Sequence, residues 1–223
     1  MSGHETRPIG RAGHVPAGPA SGSFLPIFDA HFGPRLQHRA RTFRAVFERL
    51  EAAGPRDDYR IVETGCLREP GNWGGDGQST ALFDAFVTHH GGRVQSVDLD
   101  PVAVRAARSV VGPRTDVRCA DSVEFLWALE PRPIDLLYLD SFDVDWGDPH
   151  PSSLHHLTEL CAVLPKLLPG ALVVVDDDCG GRGKGRYIRG FMESVGIGPF
   201  FDEYQVGWVL PAPIVRPAKR EGA

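Results

Sequence analysis

The chain has 223 residues, a formal net charge of -5, 42% hydrophobic residues and 24% charged residues. These values are typical of one soluble domain with a real core, and the acidic balance argues against a protein that mainly binds a nucleic-acid backbone. The sequence contains no apolar run of about 18 residues and no apolar signal-peptide core near its start, so we expect no membrane partner. The four scattered cysteines favour reduced thiols, and hence a cytoplasmic location.

The N-terminal part of the sequence divides into a tail and a helical segment. Residues 1–23 are rich in Gly, Pro, Ala and Ser, which predicts a flexible tail. Residues 24–55 carry two apolar clusters, and the second has helical spacing at Phe43, Val46, Phe47 and Leu50. We expect these residues to form a helical cap over a substrate cleft. Residues 56–215 are then the main domain, and 216–223 form a second tail.

From residue 60 the sequence alternates between short apolar runs and helical stretches. The predicted strands are Arg60–Val62, Val94–Val97, Asp116–Cys119, Leu136–Leu139 and Leu172–Val175, and the predicted helices lie at about 79–89, 101–110, 122–129, 152–168 and 185–195. Such an alternation predicts an α/β fold, with a doubly wound, mostly parallel sheet and helices on both faces. Two short runs within Phe200–Leu210 predict a closing C-terminal strand pair.

Acidic residues follow every predicted strand. Ligands of an open parallel sheet bind outside the carboxyl ends of its strands, so these residues mark the candidate site. The first strand is followed by a glycine-rich loop that opens a helix, and the second ends at an acidic residue suited to ribose hydroxyls. Helix capping explains one or two such acidic residues, but explains five on one sheet edge poorly.

These residues resemble the class I S-adenosylmethionine-dependent methyltransferases, which have a Rossmann-like fold. The resemblance covers roughly residues 60–178 and rests on Glu63-Thr64-Gly65, Gly77-Gln78-Ser79-Thr80, Ser96-Val97-Asp98-Leu99-Asp100-Pro101 and Asp121-Ser122. It implies S-adenosyl-L-methionine as cofactor, with the glycine loop at its methionine part, Asp98 at its ribose and Asp121-Ser122 by its adenine. The cofactor residues expected are Glu63, Gly65, Gly77, Ser79, Asp98, Leu99, Asp121 and Ser122.

The ends of the fourth and fifth strands suggest a metal. Leu139-Asp140-Ser141 and Val175-Asp176-Asp177 are similar to the metal-dependent O-methyltransferases, both catechol-type and the sugar O-methyltransferases of macrolide and aminocoumarin pathways. That similarity implies Mg²⁺ bound by Asp140, Asp176 and Asp177, with a shift to Asp177 and Asp178 left open. Independently, neighbouring carboxylates require either a cation or a proton, and oxygen ligands suit Mg²⁺.

Two further loops hold candidate groups for the chemistry. After the fourth strand, Asp143, His155 and His156 are candidate bases, and Asp145 is a rival to Asp143. Both histidines are expected in the first turn of a helix capped by Ser152 or Ser153. After the fifth strand, the glycine-rich segment Cys179–Arg186 is either a lid, whose Arg182 and Lys184 contact a polar substrate, or a flexible connection.

The sequence therefore predicts a methyltransferase that uses S-adenosylmethionine, with Mg²⁺-assisted O-methylation of a small-molecule hydroxyl on a natural-product or sugar-like acceptor. The alternatives are other chemistry on S-adenosylmethionine, such as alkyl-chain transfer or cyclisation, or a non-catalytic cofactor-binding protein. The sequence does not name the acceptor, and it leaves open whether the chain forms a homo-oligomer.

Overall fold

The protein is described by a computed structural model that covers residues 22–52, 54, 56–76 and 78–211. The predicted tail over 216–223, and residues 1–21 of the one over 1–23, lie outside the described residues.

The predicted α/β sheet is confirmed. Its strands are β1 (Arg60–Thr64), β2 (Arg93–Asp98), β3 (Thr115–Cys119), β4 (Leu136–Leu139), β5 (Leu172–Val175), β6 (Phe201–Asp202) and β7 (Val206–Val209). They form one sheet in the order β3-β2-β1-β4-β5-β7-β6. The first five strands pair in parallel, whereas β7 is antiparallel to both β5 and β6, as expected of a closing strand pair.

The helices also follow the predicted alternation. They are α1 (Leu25–Ile27), α2 (Ala40–Glu51), α3 (Ser79–His90), α4 (Pro101–Arg108), α5 (Ser122–Ala128), α6 (His150–Val163) and α7 (Arg186–Ser194). Short π and 3₁₀ turns span Phe28–Phe32, Gly33–Arg35 and Gln37–Arg39, and a 3₁₀ turn over Leu164–Lys166 follows α6. No helix within the described ranges has the length and apolar character that a membrane crossing requires.

Helix α6 begins earlier than its sequence suggests. Its N-cap is Pro149, so His155 and His156 lie in the second turn and not in the first. The predicted caps are wrong: the Ser152 hydroxyl donates to the Pro149 carbonyl, and the Ser153 hydroxyl donates to the carbonyl of Gly183. Proline at the helix start explains the difference, because its fixed φ favours the first turn and its missing N–H needs no cap.

Apolar side chains cover both faces of the sheet. On one face, the apolar side of α2 packs with α3 against the strands, and the aromatic rings of Phe43, Phe47, Phe83 and Tyr138 contact each other there. The opposite face is covered by α5, α6 and α7, which enclose Trp208. Helix α2 therefore belongs to a packed layer of the fold, and only its N-terminal end approaches the carboxyl edge of the sheet.

The turns before α2 contact the glycine-rich loop after β1. The Phe32 ring lies 5.7 Å from that of Trp73, measured between centroids, and the guanidinium carbon of Arg35 lies 4.3 Å from the same Trp73 ring. A cation over an aromatic face and a tilted ring pair both stabilise such a contact. The segment before α2 and the loop after β1 thus form one packed surface.

Candidate active site

A cavity of about 550 Å³ opens at the carboxyl ends of β1, β2 and β4. This is the edge at which a parallel sheet binds its ligands. Five of the predicted cofactor residues line it: Gly65, Asp98, Leu99, Asp121 and Ser122. The sheet topology thus brings together residues that are far apart in sequence.

Backbone hydrogen bonds hold the acidic residues of this cavity in place. One carboxylate oxygen of Asp98 accepts from the backbone N–H of Cys66 at 3.0 Å, and the other accepts from that of Asp100 at 2.8 Å. Asp121 caps α5 by accepting from the Glu124 N–H at 2.9 Å. Because these acceptors are fixed before any ligand arrives, little ordering is needed when one binds.

The other predicted cofactor residues do not line the cavity. Glu63 is fully buried beside α3, where its Oε2 accepts from the Thr80 hydroxyl at 2.8 Å and from the hydroxyl of Ser96. Burial raises the pKa of Glu63 to about 7. Ser79 is buried at the start of α3, and Gly77 lies outside the described residues. The structure therefore places Glu63 and Ser79 behind the wall of the cavity.

Arg68 and Asp76 line the same cavity, and sequence reasoning missed both. Asp76 organises the loop after β1: its Oδ2 accepts from the backbone N–H groups of Arg68 at 2.9 Å and Glu69 at 3.2 Å. An Asp just before a glycine near a helix start was the available signal, because such residues bond to nearby backbone groups in turns.

The three candidate bases lie in different surroundings. Asp143 lines the cavity and receives both of its hydrogen bonds from Nη1 of Arg68, each 2.9 Å long. His155 also lines it, with Nε2 lying 3.1 Å from the Ser122 hydroxyl and 3.2 Å from Oε1 of Glu159. The hydrogen bond with Glu159 raises the pKa of His155.

His156 is a core residue. It is fully buried, its Nδ1 donates to the Ser152 carbonyl at 2.6 Å, and its Nε2 has no partner among the described residues. Burial lowers its pKa to about 4, so it is neutral near pH 7. His156 faces neither cavity, and the structure removes it from the candidate bases.

A second cavity, of about 350 Å³, adjoins the first. Arg68, Asp76, Asp140 and Asp143 line both, so they lie at the junction. The remaining wall of the second cavity is largely polar: Arg39, Gly75, Val144, Trp146, Asp177 and Tyr204. Many hydrogen-bonding groups around a small space suit an acceptor that carries several hydroxyls.

The predicted metal ligands do converge, but two cations of the chain lie among them. Lys184 Nζ is 2.6 Å from Asp140 Oδ1 and 3.1 Å from Asp177 Oδ2. Arg39, at the N-cap of α2, places Nε 2.9 Å from Asp176 Oδ2 and Nη2 3.1 Å from Asp177 Oδ1. The sequence correctly indicated that these carboxylates need positive charge, but the structure supplies it from side chains.

Magnesium does not fit this cluster as it stands, because its ligand atoms already hold cations. Within the described ranges, no group of three His, Cys, Asp or Glu side chains is placed to hold a metal ion. The carboxylates Asp140 and Asp177 outweigh the effect of burial and raise the pKa of Lys184, so it stays an ammonium ion. Lys184 is 1% exposed, so it does not contact substrate as a lid residue would.

The register of the acidic triplet follows from its contacts. Asp178 points away from the cluster and accepts from Nη2 of Arg189 at 2.7 Å and from the Gly181 N–H at 2.8 Å. Asp176 and Asp177 therefore lie on the side of Arg39 and Lys184, whereas Asp178 pairs with Arg189.

Comparisons with known proteins agree with this fold. Residues 73–178 match the family described as a methyltransferase domain. The MycE methyltransferase from the mycinamycin biosynthetic pathway, in complex with Mg, SAH and mycinamycin VI, is similar with a TM-score of 0.54 and 15% identity over 85% of this chain and 56% of that chain. The O-methyltransferase NovP is also similar, with a TM-score of 0.56 and 14% identity over 78% of this chain and 80% of that chain.

A third similar structure is the N-methyltransferase NodS from Bradyrhizobium japonicum WM9, with a TM-score of 0.50 and 13% identity over 82% of this chain and 99% of that chain. This chain spans little more than half the length of MycE. No curated protein matches its sequence. At such identities the solved structures show a shared fold, and the family match concerns residues 73–178. Residues 73–178 are therefore similar to a methyltransferase domain, and the chain has the α/β fold of the S-adenosylmethionine-dependent methyltransferases.

Proposed function

We propose that the protein transfers a methyl group from S-adenosylmethionine to a hydroxyl oxygen of a small, polar, natural-product or sugar-like acceptor. The observation that carries this proposal is the pair of adjoining cavities, which share Asp140 and Asp143 at their junction. One cavity would hold the cofactor and the other the acceptor. We further propose 56–215 as the catalytic domain and 24–55 as its helical cap, of which the N-terminal end of α2, at Arg39, lies at the site while the rest packs on the sheet.

The first cavity has the groups that the cofactor requires. Asp98 presents its carboxylate at the end of β2, where it can accept hydrogen bonds from ribose hydroxyls. Leu99 supplies apolar surface, and Asp121 with Ser122 supplies polar groups beside the space for adenine. When bound there, S-adenosylmethionine supplies an electrophilic methyl group, which the acceptor oxygen takes as the bond to sulfur breaks.

The chain must also accept the proton of the acceptor hydroxyl, and Asp143 is placed to do so. Of the three predicted bases, it alone lines both cavities. Its ion pair with Arg68 is exposed, so little free energy is needed to exchange that partner for a substrate. His155 lies with Ser122 at the cofactor end. Because Lys184 and Arg39 hold the carboxylate cluster, no step here uses a metal.

Product analysis tests the reaction. We expect incubation with S-adenosylmethionine and a panel of polyhydroxylated acceptors to yield S-adenosylhomocysteine and a product heavier by one methylene. Methylthioadenosine would instead indicate alkyl-chain transfer or cyclisation. Cofactor binding without turnover of any acceptor would favour the non-catalytic alternative.

Asp98→Ala is expected to weaken S-adenosylhomocysteine binding by about tenfold to a hundredfold, since charge-assisted hydrogen bonds contribute about 1.5–3 kcal/mol. Isothermal titration calorimetry measures this. The matched control is Asp116→Ala, which removes an exposed carboxylate on the neighbouring strand that pairs only with Arg118 among the described residues. Equal affinities for the two variants would remove Asp98 from the binding site.

A further inference from the structure

Cationic side chains of the chain itself already pair with all three carboxylates of the cluster formed by Asp140, Asp176 and Asp177. Asp176 accepts from Arg39 through both oxygens, and Asp177 accepts from Arg39 through one oxygen and pairs with Lys184 through the other. Among the described residues, Asp140 Oδ2 is the one carboxylate oxygen of the cluster with neither a hydrogen bond nor an ion pair. A divalent ion would have to displace these partners.

Lys184 is held in the cluster by its backbone as well as by its charge. The Lys184 N–H donates to the Asp177 carbonyl at 3.1 Å, and the Ser153 hydroxyl donates to the carbonyl of the preceding Gly183 at 2.8 Å. Gly183 lies against the Asp177 backbone so closely that a side chain there would collide with it. The loop thus passes directly over the carboxylates, and the ammonium is part of the packed structure.

Electrostatics favours this arrangement over an added metal ion. Even with all three carboxyl groups ionised, the ammonium of Lys184 and the guanidinium of Arg39 offset two of the three negative charges. A divalent cation inside the cluster would be repelled by both resident cations, which already offset most of the carboxylate charge that would attract it. Buried ion pairs that lose one member are also strongly destabilised, so expelling Lys184 has its own cost.

We propose that Lys184, with Arg39, is the permanent counter-ion of this cluster, that Asp140, Asp176 and Asp177 bind no divalent cation, and that the reaction needs none. The statement that the reaction needs no divalent cation rests on the proposed methyl transfer. The counter-ion role of Lys184 and the lack of cation binding do not. Lys184 then acts as a positioning residue. It holds Asp140 through Oδ1, and leaves Oδ2 available to the acceptor hydroxyl at the junction of the two cavities.

Mn²⁺ titration of the full chain, followed by electron paramagnetic resonance, tests the first two parts. The wild-type protein is expected to bind no Mn²⁺ at this cluster up to about 1 mM. Lys184→Met, which keeps an unbranched side chain one atom shorter but frees Asp140 and Asp177, is expected to bind Mn²⁺ about tenfold more tightly or better. Adding Asp140→Asn to the Lys184→Met variant should remove the increase in Mn²⁺ affinity. Lys184→Arg, which keeps the positive charge, should bind Mn²⁺ no more tightly than the wild-type protein.

The Mn²⁺ titration of the wild-type protein shows whether the cluster binds a divalent cation even if Lys184→Met fails to fold. One Mn²⁺ bound with micromolar affinity by the wild-type chain, and lost in Asp140→Asn, would overturn the proposal. In the activity arm, we expect turnover to be unchanged by EDTA. Turnover that EDTA abolishes and Mg²⁺ restores would also overturn it. A complete lack of turnover would defeat the proposed function, while the Mn²⁺ result would still decide the role of Lys184.

Discussion

Gly65→Ala is expected to destabilise the protein by about 2–5 kcal/mol and to abolish S-adenosylhomocysteine binding. Gly65 directly follows β1 and has φ +77°, a conformation that other residues adopt with strain. A Cβ atom there would lie 2.5 Å from the carbonyl carbon of Asp140 and 2.7 Å from Ser141 N. The ends of β1 and β4 would have to separate, which would displace the walls of both cavities. Urea denaturation and calorimetry measure the two effects.

Gly71→Ala is the matched control for this change. Gly71 has φ +88° but nothing within 4 Å of the added Cβ, so only the backbone strain is shared. Gly71→Ala is expected to lower the free energy of unfolding by about 1 kcal/mol. If both variants were destabilised equally, the close approach of β1 to β4 would not be what requires glycine at position 65.

Arg39→Met is expected to lower the free energy of unfolding by about 3–5 kcal/mol, as when one partner of a buried ion pair is removed. The guanidinium is almost fully buried, and without it Asp176 would keep only the hydroxyl of Tyr138 and the N–H of Asp177 as neutral partners. Urea denaturation near pH 7 measures the loss.

Arg41→Met supplies the comparison, because Arg41 is on the same helix and its side chain, paired with Glu203, is 84% exposed. Such a pair contributes less than about 1 kcal/mol. A similarly small effect of Arg39→Met would mean that its buried ion pairs do not form in solution. Arg39 would then not be a counter-ion of the carboxylate cluster beside Lys184.

The sequence predicted the fold well because its signals are local. The apolar runs at β4 and β5 have the predicted bounds, since strands buried on both faces are apolar throughout. The capping roles of Asp100 and Asp121 also follow from residue type and position. From these elements, the rule that ligands bind at the carboxyl ends of strands was sufficient to place the site.

The identity of the cations at the site could not be predicted in the same way. Lys184 lies in a glycine-rich segment with no periodicity, so nothing local indicates that the loop folds back over the ends of β4 and β5. Arg39 lies far from Asp176 in sequence, and their contact depends on how α2 packs on the sheet. Glu63 likewise faces α3 because of the sheet register, in which it pairs with Ser96 on β2.

The stacking of Trp73 against Phe32 and Arg35 has a consequence for how ligands enter. The loop after β1 forms part of both cavity walls, and its Trp73 is bound to the turns that precede α2. Any outward swing of that loop must either break these ring contacts or carry the turns with it. A ligand whose entry moved that loop would therefore also displace the N-terminal turns, although the two segments are separated by the whole of α2 and β1.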